Sequence, residues 1–144
     1  MYNVAVVGAT GNVGRKFLEI LEERNFPIKE LFLFASKKSQ GKIMKFKGQD
    51  FIVEELCEEN IKNKKIDFAL FSAGGDTSLK FAPTFAKEGA IVIDVGTSSL
   101  NGKITGDVLL DDVIGKSSYM TKVPGGVGAL TTTLLMKNVC EALK

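Results

Sequence analysis

The stretch YNVAVVGATGNVGRKFLEILEER, residues 2–24, decides the fold. Its mostly apolar first part, Tyr2–Val7, predicts a buried strand, and the apolar spacing over Asn12–Arg24 predicts an amphipathic helix. Glycines at positions 8, 11 and 14 lie between and within these two elements. A glycine-rich turn between a first strand and a first helix is typical of α/β domains in which the backbone approaches a phosphate group.

The remaining sequence alternates apolar runs with helical patterns, which predicts a Rossmann-type, doubly wound α/β fold. Right-handed crossovers then give a mainly parallel sheet of order 3-2-1-4-5-6 in a single domain, residues 1–144. The later elements are predicted as a strand Leu31–Ala35, an appended hairpin of Ile43–Phe46 and Phe51–Val53, a helical turn Glu58–Asn63, a strand Asp67–Ser72, a helix Thr77–Lys87, a strand Ala90–Val95, a turn at Asn101–Gly102, a short helix Leu110–Ile114 and a last strand Ser118–Val123.

A final helix follows the glycine loop PGGVG and carries an apolar face that we expect to cover the sheet. Its apolar residues are Leu130, Leu134, Met136, Val139, Cys140 and Leu143. We expect both cysteines, Cys57 and Cys140, to be packed in the interior, as free cysteines usually are. Their number and spacing offer neither a disulfide framework nor a metal site.

Composition excludes several classes of partner. With 144 residues, 44% of them hydrophobic, the chain can bury one substantial core. The net charge is only +2, and without a long basic run we expect neither nucleic acid nor a membrane surface as partner. The apolar runs are far shorter than the ~20 residues of a membrane span. Because no leader-like segment precedes the first strand, we expect a cytoplasmic protein.

The three glycines of the first turn have separate predicted roles. Gly8 allows a sharp turn out of the strand, Gly11 leaves room for a pyrophosphate, and Gly14 allows the helix to pack closely on the strand. The free amides of Gly11, Asn12 and Val13, at the positive end of the helix dipole, would bind an anion. The spacing GxxGxxG is less specific than GxGxxG, and the alternative is a turn that binds nothing.

The end of the second strand, in LFLFASKKSQGK at 31–42, indicates which dinucleotide is bound. NAD-specific domains usually place Asp or Glu there to bind the ribose 2′-hydroxyl. This chain instead has Ser36, Lys37, Lys38 and Ser39, which suit a 2′-phosphate and therefore NADP. A lysine-bearing surface loop is the alternative. FSAGG, residues 71–75, offers small residues at the same edge of the sheet, or else an ordinary turn.

Residues 1–94 resemble the N-terminal cofactor domain of aspartate-semialdehyde dehydrogenases, NADP enzymes of amino-acid biosynthesis. The resemblance lies in VAVVGATGNVG, LFLFASKKSQGK, FKGQDFIVEEL, DFALFSAGG and FAPTFAKEGAIVID. It implies that the cofactor-binding residues are Gly8, Thr10, Gly11, Asn12, Val13, Ser36, Lys38, Ser39, Ser72, Ala73 and Gly74. Lys38 stands where that family usually has Arg, so a point charge replaces a bidentate grip.

The stretch after Asp94 resembles a different family. VIDVG, GK..GDV and VPGGVG followed by a final helix recur in this order at the C-terminal end of bifunctional methylenetetrahydrofolate dehydrogenase/cyclohydrolases. The two families share the strand AIVID, where a crossover would preserve the sheet. We therefore interpret the chain as an engineered chimera, with residues 1–94 from the first family and 95–144 from the second. A natural short protein that combines both patterns is the alternative.

Neither resemblance brings a catalytic group with it. The chain has no histidine, and neither cysteine lies in the sequence setting of the nucleophile of the first family. The catalytic lysine and aspartate of the second family lie in a domain that this sequence does not match. We therefore expect NADP(H) binding without catalysis. The alternatives are a fold-recombination chimera that binds no cofactor, or an active fragment of an aspartate-semialdehyde dehydrogenase.

Overall fold

The structure is a computed structural model that describes residues 1–62, 64–100, 102–108, 113–117 and 119–142. Its strands are β1 (Tyr2–Val7), β2 (Ile28–Ala35), β3 (Ile43–Phe46), β4 (Gln49–Glu55), β5 (Phe68–Phe71), β6 (Ile91–Asp94), β7 (Ser98–Leu100) and β8 (Lys103–Thr105). Its helices are α1 (Asn12–Glu23), α2 (Glu58–Ile61), α3 (Gly75–Lys87) and α4 (Val127–Ala142), and a 3-10 turn covers Lys37–Ser39. The elements alternate along the chain as an α/β fold requires.

Six strands form one sheet in the order β3-β4-β2-β1-β5-β6. All neighbours pair in parallel except β3, which runs antiparallel to β4 at the edge. The five parallel strands therefore have the predicted order 3-2-1-4-5, which confirms the Rossmann-type fold. The second strand of the hairpin is not an appendage, because β4 pairs with β2 in register Leu33↔Val53 and is itself the third parallel strand.

The predicted sixth strand, Ser118–Val123, is reduced to one bridge in the described residues. Met120 lies parallel to Val92, whose amide donates to the carbonyl of Tyr119 at 3.2 Å and whose carbonyl accepts from Thr121 at 3.2 Å. Ser118 lies outside the described residues. The sixth position of the sheet is thus occupied in the predicted place and direction, by a segment too short to form a strand.

Both faces of the sheet bury apolar side chains. Under α3, the rings of Phe34 and Phe71 both meet Phe85 edge to face, with centroids 5.7 and 5.3 Å apart. On the opposite face, Leu18 of α1 packs with strand residues such as Val6. Helices on both faces expose the carboxyl ends of the parallel strands along one edge, where ligands bind in such folds.

The final helix does not have the predicted packing. Its large apolar residues are exposed, with 61% of Leu130, 55% of Leu134, 62% of Met136 and 48% of Val139 accessible. The prediction that α4 covers the sheet is therefore wrong for this structure. Cys140 on the same helix is also exposed, and Cys57 is half-buried, so interior packing of both cysteines is not confirmed.

The stretch between β6 and α4 contains a second, two-stranded sheet, in which β7 and β8 pair antiparallel. Asn101, most of the predicted helix Leu110–Ile114, and Leu143 of the final helix lie outside the described residues, as does Asn63 of the predicted helical turn. Val108 and Val113, on either side of the undescribed 109–112, are buried in the main core. No helix within the described ranges is long and apolar enough to cross a bilayer.

Candidate functional site

The glycine turn after β1 has the predicted geometry. Gly8 has φ +85°, a left-handed conformation, and a Cβ there would lie 2.5 Å from the carbonyl oxygen of Ser72. A Cβ on Gly14 would overlap the backbone of Gly8 and Ala9. Glycine at 8 and 14 is therefore required to hold α1 against the ends of β1 and β5.

The N-terminus of α1 is open to an anion. The first intrahelical bond is donated by Arg15 to Gly11 at 3.0 Å, which leaves the amides of Asn12, Val13 and Gly14 without intrahelical partners. No side chain caps the helix and its first turn holds no acidic residue. The amide of Gly11 donates to the carbonyl of Gly8 at 3.0 Å, so the prediction that it is free is wrong and Gly14 takes its place.

A cleft of about 450 Å³ lies beside this turn, at the carboxyl edge of the sheet. It is lined by Gly8, Thr10, Gly11, Ala35, Ser36, Leu56, Ser72, Ala73, Thr77, Lys80 and Phe81. Six of the eleven predicted cofactor-binding residues are in this lining. The lining contains no carboxylate and one cation, Lys80, which is the charge balance that a phosphorylated ligand needs.

The segment after β2 closes one end of this cleft. Ser36 lines it, and the following 3-10 turn brings Ser39, which is 8% exposed, to within 3.4 Å of the Thr10 hydroxyl. Lys38 is exposed at the surface of the same turn. The two segments that were predicted to bind the phosphates thus meet at Thr10 and Ser39.

A second cleft of about 620 Å³ lies on the other side of the turn. Its lining includes Val13, Ser72 and Gly74. Ser72 also lines the first cleft, so the two clefts adjoin there. Its further wall comes from the later part of the chain and includes Val95, Gly96, Asp107, Val127 and Thr131. A ligand extended over the glycine turn would therefore have one end in each cleft.

Asp94, at the carboxyl end of β6, holds this later wall in place. Its carboxylate is 1% exposed and accepts bonds from the amides of Gly96 at 2.8 Å and Val108 at 2.9 Å. Its own amide donates to the hydroxyl of Thr121 at 2.9 Å. Burial raises the pKa of Asp94, although these amide bonds oppose the shift. Asp94, the last residue of the predicted segment 1–94, is thus hydrogen-bonded to three residues of the segment 95–144.

Several lining residues were not among the predicted site residues. Leu56 follows β4, and Thr77, Lys80 and Phe81 lie on the first two turns of α3. The signal available in the sequence was the position of that helix directly after FSAGG, since the first turns of such a helix lie at the ligand edge. No group of three or more metal-ligating side chains occurs in the part of the chain that the structure describes.

The parallel sheet, the glycine turn and the open helix end define a nicotinamide-dinucleotide-binding α/β domain. Residues 3–102 match the family described as semialdehyde dehydrogenase, NAD binding domain. The chain belongs to this family. The match extends eight residues beyond Asp94, into the β7–β8 hairpin.

Relatives of two kinds confirm both predicted resemblances. The chain is 60% identical over 93 residues to aspartate-semialdehyde dehydrogenase of Aquifex aeolicus, covering 65% of this chain and 27% of the relative. It is 75% identical over 94 residues to the bifunctional protein FolD of Clostridium botulinum, covering 62% and 33%. A solved structure of the Campylobacter jejuni FolD methylenetetrahydrofolate dehydrogenase/cyclohydrolase aligns with 95% of this chain and 41% of its own, at 28% identity and TM-score 0.64.

The chain thus spans about a third or less of these two curated relatives. The alignment with the FolD structure extends over nearly the whole chain. The family matched by residues 3–102 is described as a dinucleotide-binding domain.

Proposed function

We propose that the chain binds NADP(H) across the glycine turn and catalyses no reaction by itself. The observation that carries the proposal is the 450 Å³ cleft, which adjoins an uncapped helix N-terminus and has no carboxylate in its lining. The adenine would lie against Leu56 and Phe81, and the pyrophosphate would accept bonds from the amides of residues 12–14. The nicotinamide would extend past Ser72 toward the second cleft.

Preference for NADP over NAD rests on the end of β2. The residue that follows Ala35 is Ser36, and the next three are Lys37, Lys38 and Ser39. An acidic residue in this place would bind the ribose hydroxyls of NAD and repel a 2′-phosphate. Hydroxyl and ammonium groups instead donate to a phosphate, which supports the NADP assignment.

Absence of catalysis rests on the groups around the second cleft, where the nicotinamide would lie. The sequence has no histidine, and neither Cys57 nor Cys140 lines either cleft. Hydride transfer coupled to acyl chemistry needs a nucleophile and a proton acceptor within hydrogen-bond reach of the substrate. We expect no NADPH formation from aspartate semialdehyde with phosphate or from methylenetetrahydrofolate. Turnover that survives Cys57→Ser with Cys140→Ser would reveal a catalytic group elsewhere in the chain.

We further propose that the chain joins fragments of two dehydrogenases at β6. Matches to two different kinds of dehydrogenase support this, because neither of the two curated matches covers more than 65% of the chain. Replacement of residues 95–142 by the corresponding segment of Clostridium botulinum FolD should therefore preserve cooperative unfolding and NADPH binding. Loss of both would show that the two parts are specifically adapted to each other.

Titration of the chain with NADPH, followed by fluorescence, tests binding. The informative variant is Asn12→Asp, which places a carboxylate in the first turn of α1. The change favours the helix, because a negative charge there interacts well with the helix dipole, yet it repels the pyrophosphate. We expect weaker NADPH binding at undiminished thermal stability.

Asn138→Asp is the matched control, since it makes the same change on the exposed helix α4. It should leave the affinity unchanged. If the unmodified chain binds no NADPH, the chain is a fold-recombination chimera without a cofactor site. If Asn12→Asp binds as well as the unmodified chain, the cofactor lies elsewhere.

A further inference from the structure

We propose that Arg15 binds the 2′-phosphate of NADP and contributes, together with the end of β2, to the preference for NADP over NAD. This inference rests on the proposed cofactor function. It assigns the binding of the 2′-phosphate to a residue of α1, which is a different element from the end of β2. Arg15 lies in the first turn of α1, one residue after Gly14. Its Nε donates to the carbonyl oxygen of Thr10 at 3.2 Å.

This bond fixes the guanidinium beside the predicted phosphate site. A guanidinium has five N–H donors in a planar fork, so four remain when Nε is bound to Thr10. The hydroxyl of Thr10 lies 3.4 Å from that of Ser39, which belongs to the 3-10 turn after β2. Two hydroxyls and a held guanidinium therefore converge from the glycine turn, α1 and the 3-10 turn.

A third cleft, of about 400 Å³, shows where the phosphate would lie. Thr10 lines both this cleft and the 450 Å³ cleft proposed for the adenosine, so a group projecting from the ribose past Thr10 would enter it. Arg15 and Lys42 are among its lining residues. Glu19 and Glu22 also line it, but they lie one and two turns further along α1 than Arg15. Among the charged residues of this lining, Arg15 is the one that is hydrogen-bonded to Thr10, where the two clefts meet.

Chemistry favours Arg15 over the nearby lysines for this role. A phosphate is bound by a guanidinium through two parallel hydrogen bonds, whereas an ammonium acts as a point charge. Lys37 and Lys38 are exposed on the 3-10 turn and add to the local positive potential. Arg15 is therefore the residue whose removal should affect the 2′-phosphate specifically.

The experiment compares NADPH with NADH for Arg15→Ala, Arg15→Lys and the unmodified chain. We expect Arg15→Ala to raise the Kd for NADPH about tenfold, equivalent to about 1.4 kcal/mol, and to change that for NADH less than twofold. Arg15→Lys keeps the positive charge but loses the planar fork of donors. Its Kd for NADPH should lie between those of the unmodified chain and Arg15→Ala. Arg24→Ala removes the same side chain from the other end of α1 and should change neither Kd. As a competitor of NADPH, 2′,5′-ADP should lose affinity for Arg15→Ala to the same extent as NADPH does. The affinity of 5′-AMP, which has no 2′-phosphate, should not change.

The outcomes separate the inference from the proposed function. An unmodified chain that binds neither cofactor, or binds both equally, contradicts the NADP assignment and the inference with it. An unmodified chain that prefers NADPH, with an Arg15→Ala variant that keeps this preference or weakens both cofactors equally, overturns the inference alone. If Arg15→Ala lowers the melting temperature, Arg15→Gln, which is shorter than arginine and uncharged but keeps an amide with two donors, replaces it in the comparison.

Discussion

Substitution of Asp94 by alanine should destabilise the part of the chain that follows β6. The carboxylate is buried and is the acceptor for the amides of Gly96 and Val108, at 2.8 and 2.9 Å. Alanine would leave both amides without these acceptors, that of Val108 in a buried site and that of Gly96 in a partly buried one. An unsatisfied buried group costs about 1–3 kcal/mol, so the two together cost about 2–6 kcal/mol.

Part of this cost is offset because the substitution also removes a buried charge. We therefore expect a net loss of about 2–4 kcal/mol, a large share of the roughly 5–15 kcal/mol that holds a domain folded. Urea unfolding at pH 7 measures the free energy directly. Asp50→Ala, at an exposed position of β4, is the control and should stay within about 0.5 kcal/mol of the unmodified chain. A loss below about 1 kcal/mol for Asp94→Ala would refute the account of Asp94 as the residue that joins the two segments.

The pH dependence of the same variant has a definite sign. Burial raises the pKa of Asp94 above its ordinary value of 3.8, so the folded state holds this proton more tightly than the unfolded state. The proton-linked part of its contribution to stability is then fully present below the unfolded pKa and is lost as the pH rises through the folded one, while the amide bonds contribute in addition. The stability difference between the unmodified chain and Asp94→Ala should therefore increase as the pH falls from 7 toward 4. A difference that shrinks would contradict the raised pKa.

Three further predictions concern the end of β2, the glycine turn and the final helix. Ser36→Asp should shift the preference from NADPH toward NADH in paired titrations, because it places a carboxylate at the end of β2. Gly14→Ala should destabilise the chain by about 1–3 kcal/mol in urea unfolding, because its Cβ would overlap the backbone of Gly8. Gly128→Ala, with open space around it, should not. Deletion of 130–144 should leave the melting temperature nearly unchanged, because the apolar side chains of α4 are exposed; a drop of more than about 5 °C would show that the helix packs on the domain.

The elements that the sequence predicts correctly are those with local causes. The turn at Gly8 and the close packing at Gly14 depend on residues within one strand–turn–helix unit. The strand order followed from the handedness of the crossovers. The place of β4 inside the sheet could not be read locally, because its alternation fits an isolated hairpin as well as a strand that pairs with β2.

The features that were missed have both local and distant causes. In α4, Leu134, Leu135 and Met136 are consecutive and so point to different sides of a helix, which gives no single stripe for a sheet to cover. The bonds of Asp94 to Val108 cross fourteen residues of sequence. Phe81 enters the first cleft from the second turn of α3. Spacing within the sequence contains no signal for the bond of Asp94 to Val108, whereas the run Leu134–Met136 and the position of α3 after FSAGG are signals that were present in the sequence.

The central claim is that NADP(H) binds across the glycine turn, with its phosphates at the N-terminus of α1. Two-dimensional ¹H–¹⁵N spectra of the labelled chain, recorded during NADPH addition, measure this residue by residue. We expect the largest shifts for the amides of Asn12, Val13 and Gly14, with further shifts at 36–39 and 72–74. Unchanged spectra, or shifts confined to α4 and the β7–β8 hairpin, would contradict it.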